Sequence, residues 1–220
     1  DRLMYQATSA SFYGPRDAVR VVSEDHGIDL EAEIVVITDD VPMAVTPAQA
    51  DEHIQLIGLV NDVSLRNLIQ GELNKGFGFL QSKPRSALSP VFVTPDELGN
   101  AWRDNKVHLP LLTHINGAWF GAPEAGVDMQ FDFSQLVAHA AKTRPLSAGT
   151  IVGSGTIANE DTSKGASCFA EQRTVETLRD GKPSTPFMKF GDVVRIEMLD
   201  GDGGHIFGAI EQRIEQQPLP

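Results

Sequence analysis

Apolar residues in this chain come in short runs of strand length, and turn-forming residues cut them at close intervals. Glu31–Ile37 (EAEIVVI), His53–Val60 (HIQLIGLV), Val193–Met198 (VVRIEM) and Ile206–Ile214 (IFGAIEQRI) are β-branched or aromatic stretches bounded by Gly, Pro, Asn or Asp. Ala87–Val93, Leu109–Ile115, Gly117–Gly121, Val127–Phe133 and Thr150–Val152 read as further strand pieces. The last two long runs face each other across Asp200–Gly204, which predicts a hairpin. Helical spacing is confined to a few places. Thr46 is an N-cap followed by Pro47 at the first helical position, Leu65–Leu73 is one short helix, and Asp96–Leu98 after Pro95 starts another. Ser134–Thr143 has helical spacing behind a Ser cap, and Phe169–Arg179 is a helix stopped by Asp180-Gly181. With 20 Gly and 13 Pro among 220 residues there are many turns but no linker, repeat or low-complexity tract. The expectation is one α+β domain over residues 1–220, with a large β component.

Composition excludes several kinds of protein. At 41% hydrophobic and 22% charged residues the chain can bury a core, so it is not a disordered polypeptide. No apolar run approaches the roughly 20 residues of a membrane helix, and no membrane partner is expected. One cysteine rules out an intramolecular disulfide and a multi-cysteine zinc site, and fits a reducing, cytoplasmic setting. A net charge of −12 speaks against wrapping nucleic acid. It leaves small anionic substrates open, because a bound metal can dominate the local field.

Two carboxylates stand out. Glu31 and Glu33 lie two apart on a predicted strand and so share a face. Side by side they repel unless a cation or water relieves them. Asp62 ends another apolar strand, and three carboxylates converge if the two strands are neighbours. Hard oxygen ligands of this kind suit Mg²⁺, Mn²⁺ or Ca²⁺. The alternative is that Glu31 and Glu33 line the solvent face of an edge strand, although Val35 and Ile37 on the same face look like core residues.

Other positions carry weaker signals. Gly153-Ser154-Gly155-Thr156 follows a strand, and its backbone N–H groups could cradle an anion with the Thr156 hydroxyl as a further donor, or simply form a turn. It lacks both the GK[ST] element of a phosphate loop and the third glycine of a dinucleotide fingerprint. Lys83 is either a solvated loop lysine or a cation beside a metal site. Glu171, at the start of a partly apolar helix, is either a raised-pKa general base or an acidic residue favoured by the helix dipole. Cys168 reads as a small buried residue rather than a nucleophile, and the six histidines show no ligand spacing.

In order along the chain, Glu31-x-Glu33, Asn61-Asp62-Val63-Ser64-x-Arg66, Lys83 before Ser89-Pro90, and Gly149-Thr150-Ile151-x-Gly153-Ser154-Gly155-Thr156 resemble the fumarylacetoacetate hydrolase family. Gly191–Met198 and Gly208–Gln212 are similar to the same family. The resemblance implies a mixed β-roll, a homodimer, and a divalent cation, Mg²⁺ with Mn²⁺ or Ca²⁺ as alternatives. It implies hydrolytic C–C cleavage of a β-diketone acid such as fumarylacetoacetate, fumarylpyruvate or another acylpyruvate. By motif match Glu31, Glu33 and Asp62 would hold the metal, Lys83 would stabilise the leaving enolate, and Glu171 would help activate water. Arg66, Thr156 and Tyr5 would contact the substrate. The family's further Asp ligand, and a His paired with its catalytic Glu, fall upstream of the Tyr5 motif. The resemblance therefore implies that the chain begins within the catalytic domain. A β-keto acid decarboxylase, an isomerase, and a catalytically incomplete metal-binding domain are the competing readings.

Overall fold

The computed structural model describes residues 2–219. Its strands are β1 (Val19–Val21), β2 (Ile28–Asp29), β3 (Ala32–Thr38), β4 (Ile54–Asn61), β5 (Ser64–Leu65), β6 (Ala87–Leu88), β7 (Trp102–Arg103), β8 (Lys106–Val107), β9 (Leu112–Ile115), β10 (Ala118–Gly121), β11 (Ile151–Gly153), β12 (Val193–Leu199) and β13 (His205–Gln216). Between them lie α1 (Pro47–Ala50), α2 (Arg66–Leu73), α3 (Phe133–Ala140) and α4 (Phe169–Asp180). One sheet runs β1-β13-β12-β9-β10 and a second runs β11-β3-β4-β6, with β2-β5 and β7-β8 as small ribbons. The α+β, β-rich class expected from the short runs is what forms. Among the described residues no helix is long and apolar enough to cross a membrane.

The core lies where β4 meets β12 and β13. Ile57 and Leu59 from one sheet and Ile196, Met198, Phe207 and Ile210 from the other have essentially no exposed surface. Each such side chain contributes about 1.5–3 kcal/mol of burial. Gly58 is needed in β4, because a Cβ there would lie 2.4 Å from the Phe92 ring.

Register in the second sheet builds the site. β3 and β4 pair antiparallel with Ala32 opposite Asn61. Glu31, one residue before β3, therefore faces Asp62, one residue after β4, and Asp62 N–H donates to Glu31 C=O at 2.9 Å. On one side β11 pairs with β3, so the loop after Gly153 runs beside Glu33. On the other side Ala87 of β6 pairs with Asn61, which sets Ser86 beside Asp62. The β2-β5 ribbon pairs Asp29 with Ser64 and carries Arg66 to the same end.

Three local expectations are corrected. Val127–Phe133 forms no strand: Asp128 has φ +60° and Phe133 already begins α3. The cap of α3 is Asp132, not Ser134. Its carboxylate accepts Gln135 N–H at 2.9 Å while Gln135 Oε1 accepts Asp132 N–H at 3.3 Å. Of Ala87–Val93 only Ala87–Leu88 is a strand, Pro90 interrupts it, and Val93 returns as a single bridge to Ile57. The Thr46 capping box with Pro47 and the β12–β13 hairpin form as expected.

Candidate metal and catalytic site

One oxygen from each of Glu31, Glu33 and Asp62 lies within 4.8 Å of the others. All three residues are buried, at 7%, 5% and 7% exposure, which discards the solvent-face reading. Lys83 is buried too, at 7% exposure, and is no solvated loop lysine. Its Nζ donates to Glu31 Oε2 at 2.6 Å, to Asp62 Oδ2 at 2.9 Å and to the Asp62 carbonyl at 3.1 Å. Burial works against this ammonium, but the Glu31 and Asp62 carboxylates outweigh it and hold its pKa above that of an ordinary lysine.

Each remaining carboxylate oxygen has a defined donor or neighbour. Glu31 Oε1 accepts from Arg66 Nη2 at 2.6 Å and from Ser64 Oγ at 3.2 Å. Ser86 Oγ donates to Asp62 Oδ1 at 2.9 Å, and the Tyr5 hydroxyl donates to Asp62 Oδ2. Tyr5 also lies with its ring 5.1 Å from Lys83 Nζ. Burial, and then the Asp62 charge, keeps the Tyr5 phenol protonated well above its usual range. Glu33 has the least support. The nearby Gly155 N–H favours its charged form, but burial and the neighbouring Asp62 and Glu31 charges push its carboxyl well above the ordinary carboxylate range. The Gly153–Thr156 loop thus runs against the protein's own Glu33.

Gly153 leaves little room for a side chain: a Cβ would stand 3.0 Å from Glu33 Oε2, and that carboxylate would have to give by a few tenths of an ångström. Gly153→Ala is expected to displace that carboxylate and weaken Mn²⁺ binding by about tenfold, with the fold intact. Calorimetric titration beside a thermal melt checks both halves.

The electrostatics call for a cation. Asp29, with no exposed surface, joins the cluster through Arg66, whose Nε donates to Asp29 Oδ2 at 2.8 Å. Among the described residues four buried carboxylates (Asp29, Glu31, Glu33, Asp62) face only Arg66 and Lys83, so that with all four ionised two negative charges are in excess, which a divalent ion would balance. The donor set is all oxygen, which suits a hard cation.

Thr156 sits apart from these ion pairs. It lines a neighbouring cavity of about 290 Å³ with Arg2, Gln130, Phe131 and Gly155. Gly155 lines this cavity two residues after Gly153, whose backbone lies against Glu33 Oε2, so the cavity abuts the carboxylates. Arg66, expected against a substrate, has Nε and Nη2 taken by Asp29 and Glu31 and acts as a bridge between them. Glu171 lies in the first turn of α4, and its Oε2 accepts Ser167 N–H at 3.3 Å. Burial raises its pKa, only partly offset by that bond. Cys168 is buried and its thiol is pushed up to about 12 by burial and then by the Asp29 charge, so it is no nucleophile at neutral pH.

The family sequence model described as Fumarylacetoacetate (FAA) hydrolase C-terminal matches residues 1–215. The chain belongs to the fumarylacetoacetate hydrolase family. A 2,4-didehydro-3-deoxy-L-rhamnonate hydrolase from Sphingomonas sp. (strain SKA58) is 25% identical over 197 residues, 88% of this chain. The chain spans 60% of the length of that relative. Among solved structures, the fold matches a 2-hydroxyhepta-2,4-diene-1,7-dioate isomerase from Mycobacterium marinum at a TM-score of 0.70 and 18% identity, covering 100% of this chain and 71% of that one. It also matches a fumarylpyruvate hydrolase from Pseudomonas aeruginosa, solved with Mn²⁺ and pyruvate, at a TM-score of 0.65 and 13% identity, covering 92% and 72%. The proteins it resembles are thus named as two hydrolases and an isomerase.

Sequence reasoning missed Asp29, Ser64 and Ser86. Asp29 did leave a signal: Asp29, Glu31 and Glu33 repeat the same two-residue period. Ser86 left none, since its role depends on the β4–β6 register.

Proposed function

We propose that this chain carries the metal-dependent chemistry of a hydrolase that cleaves a C–C bond in an acylpyruvate-type β-diketo acid. The observation that carries this reading is the buried, all-oxygen cluster of Glu31, Glu33 and Asp62 with a lysine ammonium inside it and more carboxylates than cations around it. Glu31, Glu33 and Asp62 would hold a divalent cation, Mg²⁺ or Mn²⁺, which when bound supplies Lewis-acid polarisation of the substrate's oxygens.

The protein's own groups account for the rest. Glu171, with its raised pKa, is a stronger base than an ordinary carboxylate and takes a proton from the water that attacks the acyl carbonyl. The bond between that carbon and the central methylene then breaks, giving a carboxylic acid and a pyruvate enolate. Lys83 places positive charge where the enolate develops. A proton delivered to the methylene carbon completes pyruvate. Thr156 offers its hydroxyl to the substrate carboxylate from the adjoining cavity.

The test is acylpyruvate absorbance decay with Mn²⁺, together with stoichiometric pyruvate release. Hydrolysis predicts one pyruvate per substrate lost. Release of CO₂ would identify a decarboxylase, and absorbance change without either product an isomerase. Glu171→Gln is expected to slow hydrolysis about 10²–10⁴-fold while leaving Mn²⁺ affinity unchanged, since a base is lost but no ligand. Undetectable Mn²⁺ and Mg²⁺ binding in the parent protein would sink the proposal.

A further inference from the structure

Helix α4 begins badly on its own terms. Its local N-cap is Cys168, whose sulfur accepts Glu171 N–H at 3.4 Å, and a thiol is a poor acceptor. The first two amides of the helix are satisfied from elsewhere. Asp29 Oδ1 accepts Phe169 N–H at 2.7 Å and Asp29 Oδ2 accepts Ala170 N–H at 2.9 Å, across 140 and 141 residues of sequence. The same Oδ2 accepts Arg66 Nε at 2.8 Å, and Arg66 Nη2 reaches Glu31 Oε1 at 2.6 Å. A single carboxylate with no exposed surface therefore ties the turn bearing Glu171 to a member of the carboxylate triad.

The chemistry of this tie is specific. A helix N-terminus carries partial positive charge and two free N–H donors, and Arg66 supplies a third donor with a full charge. Only an ionised carboxylate accepts all three at once. An amide of the same shape turns an N–H toward at least one of the donors. Among the described residues no hydrogen bond runs from the Glu171 side chain to the triad; its turn is tied to them by this side-chain relay and by the backbone, where Ala32 N–H, between Glu31 and Glu33, donates to Ser167 C=O at 3.0 Å.

We propose that Asp29 is a positioning residue, docking the amino end of α4 so that Glu171 is held at a fixed distance from the Glu31–Glu33–Asp62 cluster through Arg66. It rests on the hydrolase reading above for Glu171's role as base. The docking itself is a structural statement that can be measured without turnover.

The experiment uses Asp29→Asn in the full chain, with hydrogen exchange, Mn²⁺ calorimetry and acylpyruvate kinetics. Exchange of the Phe169 and Ala170 amides should accelerate at least tenfold, while β3 and β4 amides are unchanged. Mn²⁺ affinity should stay within threefold. With acylpyruvate, kcat should fall about 100-fold and KM stay within threefold, and Asp29→Asn should slow a Glu171→Gln enzyme no further, because both act through one base. Cys168→Ser, which gives α4 a better local cap, is added as a second variant. In the Asp29→Asn background it should restore the melting temperature but not kcat, and it supplies a folded protein if Asp29→Asn alone does not fold. Recovery of kcat along with the melting temperature overturns the proposal, because Asp29 would then only stabilise the helix. Unchanged Phe169 and Ala170 exchange also overturns it, as does additive slowing with Glu171→Gln. A parent protein that cleaves no acylpyruvate overturns the hydrolase reading instead, and the exchange rates of Phe169 and Ala170 then decide the docking alone.

Discussion

Glu33→Gln is expected to make the metal-free protein more stable at neutral pH and to weaken Mn²⁺ binding by on the order of 100-fold or more. The two effects have one cause. Burial, and then the Asp62 and Glu31 charges, holds the Glu33 carboxyl well above the ordinary carboxylate range in the folded chain. In the unfolded chain it ionises near about 4.3. Between those values the unfolded state has released a proton that the folded state retains. The stability Glu33 contributes is therefore fully present below the unfolded pKa and is lost as pH rises toward the folded one. Gln does not titrate, so the stability of the variant relative to the parent should grow with pH from about 4.5 upward, by at most about 1.4 kcal/mol per pH unit. Urea unfolding with a chelator present, at several pH values between about 5 and 8, measures it. Saturating Mn²⁺ should reverse the order, since the parent binds the ion through an ionised Glu33 and the variant cannot. A stability difference independent of pH would show that Glu33 is ionised without a metal, and the charge argument for the site would fail.

What the sequence reveals of this site follows the range of the forces involved. The Thr46 cap with Pro47 and the turn at Asp200–Gly204 are settled by residues within one turn of each other, and both are legible. Strand periodicity puts Glu31 and Glu33 on one face but cannot say whether that face is wet or buried. That is settled by β11 and β4 pairing on either side of β3, and by Lys83 arriving from outside the strand. Its strand end brings Asp62 there only if the two strands are neighbours, and the ordered set of family motifs is what favours that pairing and places Lys83 with them. The Val127–Phe133 misreading has a physical origin too. Met129 and Phe131 do pack against the core, so the two-residue alternation correctly reports burial. It does not report a partner strand, and Asp128 in the left-handed region breaks the extended run. Asp29 shows the same limit from the other side: its acidic period was visible, but its amide partners lie 140 residues away.

Lys83→Met should cost the metal-free protein about 3–5 kcal/mol, the usual consequence of removing one partner from a buried ion pair. The thioether keeps most of the buried stem's volume, so the loss is electrostatic rather than a cavity effect. Among the described residues Glu31 Oε2 loses its only ion-pair partner and Asp62 Oδ2 keeps only the Tyr5 hydroxyl, with Arg66 left as the sole cation against four buried carboxylates. A divalent ion at Glu31, Glu33 and Asp62 compensates for that loss, so Mn²⁺ should stabilise the variant by more than it stabilises the parent. Stability measured by denaturant unfolding with and without the ion should therefore nearly converge at saturating Mn²⁺. Activity should not. If Lys83 also offsets charge on the departing enolate, turnover of an acylpyruvate stays about 10²–10³-fold down even with the site fully loaded, because the lost charge acts on the transition state and not on the fold. The divergence separates its two duties. Full recovery of turnover with Mn²⁺ would confine Lys83 to holding the carboxylates together, and an unchanged metal-free stability would contradict the ion pairs themselves.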